Sequence, residues 1–269
     1  MIRQRFLLKF MSSRLLGSTG RKLARRRNWI IEHGEAAGLK LRFPQNLDFI
    51  SGKSELPVQR ALAAHIRPGH VVYDIGANIG FFSLIAARLG GPAGDVYSFE
   101  PVSENAMAVQ RNARLNVLDR VHVFEIALGS YTGSAELILT EWDGGSTLST
   151  SAVEPSDAIS RRTVGVAALD ELARTEKLRS PDFIKIDVEG AELEVLRGMS
   201  GILARARPIL LYELDDGDKA SFDRRWKELD DYVKRSFGYE IQRLENSYAN
   251  EHWFVGHSLA LPLDTRRTN

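Results

Sequence analysis

Residues 71–84 read Val-Val-Tyr-Asp-Ile-Gly-Ala-Asn-Ile-Gly-Phe-Phe-Ser-Leu, and this stretch decides the fold. Val71, Val72, Tyr73 and Ile75 form a short apolar run, rich in β-branched residues, that ends in glycine. That is the pattern of a strand buried in a parallel sheet. Apolar residues then recur at Phe82, Ile85, Ala86 and Leu89, the spacing of a helix with one buried face. Gly76 and Gly80 lie between the two, where a tight turn lets a ligand come close to the backbone. Amides opening the following helix favour a polar or anionic group there. Strand, glycine turn and helix together make a nucleotide-type binding site.

The spacing narrows the nucleotide. A dinucleotide site asks for G-x-G-x-x-G, with a second glycine that admits the pyrophosphate. Here position 78 is Asn, and Asp74 stands two residues before the first glycine. A carboxylate at that position repels a pyrophosphate and suits a zwitterion carrying an ammonium and a sulfonium. The pattern of Asp74, Gly76 and Gly80 resembles motif I of class I S-adenosylmethionine (SAM) methyltransferases. An ordinary α/β strand and turn is the plainer reading of the same residues.

Downstream, Val96–Phe99 reads as a second strand, ending at Glu100-Pro101. An acidic residue about 20 positions past a glycine loop, at a strand's carboxyl end, is placed to accept both ribose hydroxyls. Glu100 occupies that place. A helix over 103–115 follows, with Ser103 as its cap, and then a third strand over 121–127 whose end, at Ala127, is expected to border the adenine. The alternation of helix and strand predicts an α/β fold, an open and mostly parallel sheet with helices on both faces and ligands at the strands' carboxyl ends.

The segment Phe183–Gly190 carries the most chemistry. Strand alternation puts Lys185, Asp187 and Glu189 on one face, opposite Ile184, Ile186 and Val188. Charges on a central parallel strand are costly unless they reach an opening or a partner. The alternatives are a catalytic cluster, or a structural Lys185–Asp187 ion pair with Glu189 capping the helix over 191–197. A fifth strand over 208–214 carries Glu213 at its end, and a charged amphipathic helix covers 220–236. Residues 239–241 and 252–255 supply two closing strands, expected as an antiparallel pair at one edge. Residues 129–164 form a long insertion holding a strand over 135–139 and a polar turn at 142–147, the kind of loop that often serves as a lid or binding loop.

Upstream, residues 57–66 read as a helix stopped by Pro68-Gly69, and 39–50 as a short hairpin or paired strands. Before these, residues 1–31 hold nine Lys/Arg and no Asp/Glu, leaving 27 basic against 35 acidic residues in the rest of a chain whose net charge is +1. Apolar and basic residues alternate over 1–27, a pattern suited to an anionic membrane surface or to a solvated arm. No apolar run reaches the length of a membrane span. The absence of cysteine excludes disulfides, thiolate metal sites and cysteine nucleophiles, and agrees with a cytoplasmic protein. With 269 residues, 43% of them hydrophobic, the chain can bury one sizeable core.

Taken together, Asp-Ile-Gly-Ala-Asn-Ile-Gly at 74–80, Phe-Glu-Pro at 99–101, Ala-Leu-Gly at 127–129 and Ile-Lys-Ile-Asp-Val-Glu-Gly-Ala-Glu at 184–192 resemble the FkbM family of SAM-dependent methyltransferases. The resemblance covers about residues 55–215. It implies a seven-stranded Rossmann-like class I fold and methyl transfer, most often to a hydroxyl of a small molecule, sugar or lipid-linked glycan. The organisation expected is a basic arm and short hairpin over 1–52, a methyltransferase domain over 53–257 and a tail over 258–269.

The expected cofactor residues are Asp74, Gly76, Asn78, Gly80, Glu100 and Ala127. Methylating an alcohol calls for a general base or a metal. Asp187 is the leading base, with Glu189 beside it and Lys185 modulating charge, while Asp187 and Glu213 could hold Mg²⁺. His65, His70, His122 and His252 are weaker candidates. A nicotinamide oxidoreductase is disfavoured by Asp74 and Asn78. A nucleic-acid methyltransferase using the basic arm is disfavoured by the acidic body and by the lack of an Asn/Asp-Pro-Pro-aromatic motif. A non-enzymatic membrane-surface adaptor is disfavoured by the intact glycine motif and Glu100.

Overall fold

The computed structural model describes residues 27–42, 47–140, 147–148, 158–246, 248 and 253–263. The basic arm over 1–26, the turn over 142–146 and His252 lie outside the described residues. Strands β1 (Asn28–Ile30) and β2 (Lys40–Arg42) pair antiparallel, and helices α1 (Leu47–Ser51) and α2 (Leu56–His65) lead into the main sheet. Then come β3 (Val71–Ile75), α3 (Phe81–Gly90), β4 (Asp95–Phe99), α4 (Ser103–Leu115) and β5 (Val121–Phe124). A second sheet is built from β6 (Ala127–Gly129), β7 (Gly133–Thr140), β8 (Thr147–Leu148) and β9 (Ala158–Ala168). The chain returns through α5 (Leu169–Thr175), β10 (Phe183–Ile186), α6 (Glu192–Gly198), α7 (Ser200–Ala206), β11 (Ile209–Asp216), α8 (Lys219–Phe237), β12 (Tyr239–Arg243) and β13 (Phe254–Pro262).

The main sheet has seven strands in the order β12-β13-β11-β10-β3-β4-β5. β5, β4, β3, β10 and β11 run parallel, and β13 and β12 close the edge antiparallel. Both faces are apolar because helices cover both. Tyr73, Ile75, Phe99, Ile184, Ile186 and Tyr212 pack with α6, α7 and α8, while Val72, Val96, Phe183 and Leu211 pack with α2 and α3. The sheet's carboxyl edge therefore opens between two covered layers.

Four expectations are corrected. Among the described residues of 39–50, none pairs with another. Only Lys40–Arg42 is a strand, its partner is Asn28–Ile30, and Leu47–Ser51 is helical. The third strand breaks at Phe124, and Ala127 opens β6 of the second sheet. The closing strand does not end at Val255, because Ser258, Leu259 and Ala260 are buried against β11 and β12. The boundary drawn at 257/258 thus falls inside a core strand. Finally, Ser103 is the first helical residue rather than the cap, which is Val102.

Candidate functional site

A cavity of about 500 Å³ opens at the carboxyl ends of β3, β4 and β10, within the size range of small-molecule sites. Gly76 carries φ +79, and a Cβ on it would stand 1.7 Å from the Asp187 carbonyl oxygen, so only glycine lets β3 and β10 approach this closely. Its amide and that of Ala77 donate to the Phe99 carbonyl at 3.0 and 3.1 Å, which turns the chain over the end of β4. Asn78 takes a left-handed φ of 49, a conformation asparagine tolerates better than most residues.

Glu100 faces this turn. Its Oε2 accepts from the Asn78 amide at 2.8 Å and its Oε1 from the Val102 amide at 2.9 Å. Burial pushes its carboxyl up to about 7, with both amides pulling back. The Asn105 side chain adds a third hydrogen bond to this carboxyl, and a two-oxygen acceptor at a strand's carboxyl end is the group a ribose diol needs. The Asn78 Oδ1 is buried without a hydrogen-bond partner. Ile126, Ala127 and Leu128 form an apolar wall beyond Val102. An orphaned acceptor, a two-oxygen carboxyl and an apolar slot fit an adenosine-bearing cofactor.

Asp74 is placed differently from expectation. It does not line the cavity, but sits beneath the turn in a polar row with its register neighbours Ser98 and Lys185. Ser83 of α3 donates to its Oδ2 at 2.5 Å and lies 2.8 Å from Ser98 Oγ. Burial lifts its carboxyl above the ordinary range, while Lys185 and Ser83 pull it down. Asp74 Oδ1 is, like Asn78 Oδ1, buried without a hydrogen-bond partner.

The other end of the cavity is lined by Glu55, Lys185, Asp187, Glu189, Glu213 and Tyr248. Lys185 is 2% exposed, with its Nζ 2.8 Å from Asp187 Oδ2 and 4.7 Å from the centre of the Phe82 ring. Burial alone would neutralise it, but Asp187, Asp74 and Glu55 outweigh burial and hold it charged. Glu189 leaves the strand alternation, with φ 51. Its carboxyl is pushed well above the ordinary range by burial and by Asp215 and Asp187. It hydrogen-bonds Asp215, whose Oδ2 also accepts from Trp253 Nε1 at 2.9 Å. The N-cap of α6 is Ala191, not the Glu189 of the structural alternative, and Glu192 Oε1 accepts from the Gly190 amide.

Sequence reasoning missed three residues here. His257 is a direct register partner of Glu213, and its Nε2 lies 2.6 Å from Glu213 Oε2 and 3.2 Å from Glu55 Oε2. Glu55 Oε1 in turn accepts from the Tyr248 hydroxyl at 2.8 Å. The available signal for His257 was its place between Phe254-Val255 and Leu259-Ala260-Leu261, because a histidine inside a buried strand demands a partner. Nothing local marks Glu55 or Tyr248. By contrast, His70 precedes β3 and His122 binds Asp95 at 2.8 Å, so both lie at the sheet's opposite end.

The expected Mg²⁺ pair does not fit. Asp187 is clasped by the Lys185 ammonium and Glu213 by the His257 imidazole, and a divalent cation between them would face both. Glu55, Glu213 and His257 do converge, but around one imidazole nitrogen, whereas magnesium prefers oxygen ligands and its own waters.

A parallel sheet with an acidic strand end, a glycine turn and a carboxyl-lined extension defines a class I methyltransferase. The methyltransferase FkbM domain matches residues 74–241, and the chain belongs to that family. It is a SAM-dependent methyltransferase. It is 27% identical over 199 residues to the hexuronic acid methyltransferase AglP of Haloferax volcanii, covering 68% of this chain and 78% of that protein. It is 29% identical over 188 residues to the 2-O-methyltransferase NoeI of Sinorhizobium fredii, covering 63% and 76%. With the 31-O-demethyl-FK506 methyltransferase FkbM of Streptomyces tacrolimicus the identity is 30% over 173 residues, covering 50% and 61%.

Proposed function

We propose that the chain transfers the SAM methyl group to a hydroxyl oxygen of a sugar or another small polyol, free or lipid-linked. The observation that carries this reading is the single cavity joining the Glu100–Asn78 end to the carboxyl-lined end, whose far wall offers acidic side chains to an acceptor hydroxyl. The relatives' acceptors, a hexuronic acid and the 2-O position named for NoeI, point the same way.

In this reading Gly76, Asn78, Gly80, Glu100 and Ala127 hold the cofactor, and Asp74 supports their turn from below. SAM supplies an already activated methyl group, so the protein's task is to align acceptor oxygen, methyl carbon and sulfur. The Lys185–Asp187 pair and Glu189 form the floor on which acceptor hydroxyls are oriented. Incubating the chain with SAM and a panel of methyl glycosides tests this. The product should gain one CH₂ in mass as S-adenosylhomocysteine appears, and methylation of amines alone would sink it.

The basic arm supports a second reading, that residues 1–27 bring the enzyme to an anionic membrane surface. Its nine Lys/Arg without an acid favour such contact. No helix among the described residues is long and apolar enough to cross a membrane. Sedimentation with phosphatidylglycerol vesicles should fall steeply with salt and be lost on deleting residues 1–26, whereas equal partitioning of both forms would dismiss the idea.

A further inference from the structure

We infer that Glu213 takes the acceptor's hydroxyl proton, with His257 behind the cavity wall as its ion-pair partner and Glu55 set against the same imidazole. This rests on the O-methylation reading and adds the group that receives the proton. Three parts of the chain converge on it. Glu213 comes from β11, His257 from the antiparallel neighbour β13, and Glu55 from the left-handed residue that precedes α2. The β11–β13 register fixes Glu213 against His257 through the backbone. His257 is 1% exposed and does not line the cavity, whereas Glu213 and Glu55 do.

The neighbouring carboxyls are otherwise engaged. Asp187 spends Oδ2 on the Lys185 ammonium. Glu189 is committed to its hydrogen bond with Asp215, and burial with the neighbouring Asp215 and Asp187 pushes its carboxyl well above the ordinary range. Glu213 faces Asp187, Glu55, Glu189, Tyr248 and His257. Burial, Asp187 and Glu55 push its carboxyl up to about 8, and His257 pulls it back. Burial works against the charge on His257, but Glu213 and Glu55 raise it to about 10, so the imidazolium persists beside the carboxyl. A base is most effective when its own pKa lies near the working pH. As the acceptor oxygen bonds the methyl carbon, the C–S bond breaks with its electron pair remaining on sulfur. The hydroxyl proton passes to Glu213, which returns it to water after product leaves.

Two measurements on the full chain test the inference. In ¹⁵N-histidine spectra at pH 8, the signal lost in His257→Gln should be an imidazolium, and a neutral ring there would overturn the proposal. In turnover of a methyl glycoside, Glu213→Gln should lower kcat roughly 100-fold, while S-adenosylhomocysteine affinity by calorimetry stays within about 2-fold. His257→Gln should move the acid limb of the kcat profile upward, from near 8, with activity recovering at higher pH, because nothing then pulls the Glu213 carboxyl down. A purely structural His257 would lower kcat equally at every pH. Unimpaired Glu213→Gln turnover, or an unmoved acid limb, defeats the inference while leaving O-methylation intact. A wild-type chain that methylates only nitrogen defeats the underlying reading instead.

Discussion

Replacing Gly76 with alanine probes the point where the sheet and the cofactor turn meet. The substituted residue would have to hold φ +79, which costs an L-residue roughly 1–2 kcal/mol. Its Cβ would also fall 1.7 Å from the Asp187 carbonyl oxygen, a backbone atom that cannot swing aside as a side chain can. Forcing β3 and β10 apart should add the ~1–3 kcal/mol typical of overpacking, for a total of about 2–5 kcal/mol. Gly69→Ala supplies the control, since Gly69 has φ +90 with nothing within 4 Å of the added Cβ. Urea unfolding with matched slopes measures both variants. The displaced turn should also cost Gly76→Ala at least about tenfold in S-adenosylhomocysteine affinity, because the Gly76 and Ala77 amides would leave the Phe99 carbonyl. If the two variants lose equal stability, the reasoning about the β3–β10 approach is wrong.

Two further outcomes follow from the buried carboxyls. Glu100→Gln should weaken SAM binding by ~1–3 kcal/mol in calorimetry, since one oxygen facing the Asn78 and Val102 amides becomes a donor. Unchanged affinity would remove Glu100 from the ribose site. Glu192 is pushed up to about 7 by burial, from an ordinary 4.5, despite Arg225 and the Gly190 amide. The native state therefore keeps a proton that the unfolded chain gives up, so stability should fall as pH rises from about 4.5 to 7, by no more than about 3 kcal/mol from this group. Glu192→Gln should flatten that part of the curve, with Glu100 supplying the remaining slope.

The legible parts of the molecule were those whose physics is local. The run Val71–Ile75, the glycine turn and Glu100 announce themselves because strand burial, positive φ and strand-end position each leave a sequence trace. Lys185 and Asp187 were correctly placed on one face, since alternation holds through β10. It fails at Glu189 because the strand has ended at Ile186 and Glu189 takes a left-handed turn conformation, which no period-two rule anticipates. Asp74 was read as a ligand contact. Whether a carboxylate meets a cavity or a neighbouring strand depends on register, and register placed it against Ser98 and Lys185. His257 and Glu55 were missed for the same reason. They stand 202 residues apart and meet only through the antiparallel closing strand and the turn before α2.

The most direct test of the central claim is transfer from SAM carrying a ¹³C-labelled methyl, followed by NMR of the small-molecule fraction. The account predicts a new methoxyl carbon on a hydroxyl acceptor, formed in equal amount with S-adenosylhomocysteine and lost with Glu100→Ala. Label arriving only on nitrogen or carbon, or no SAM binding at all, would contradict it.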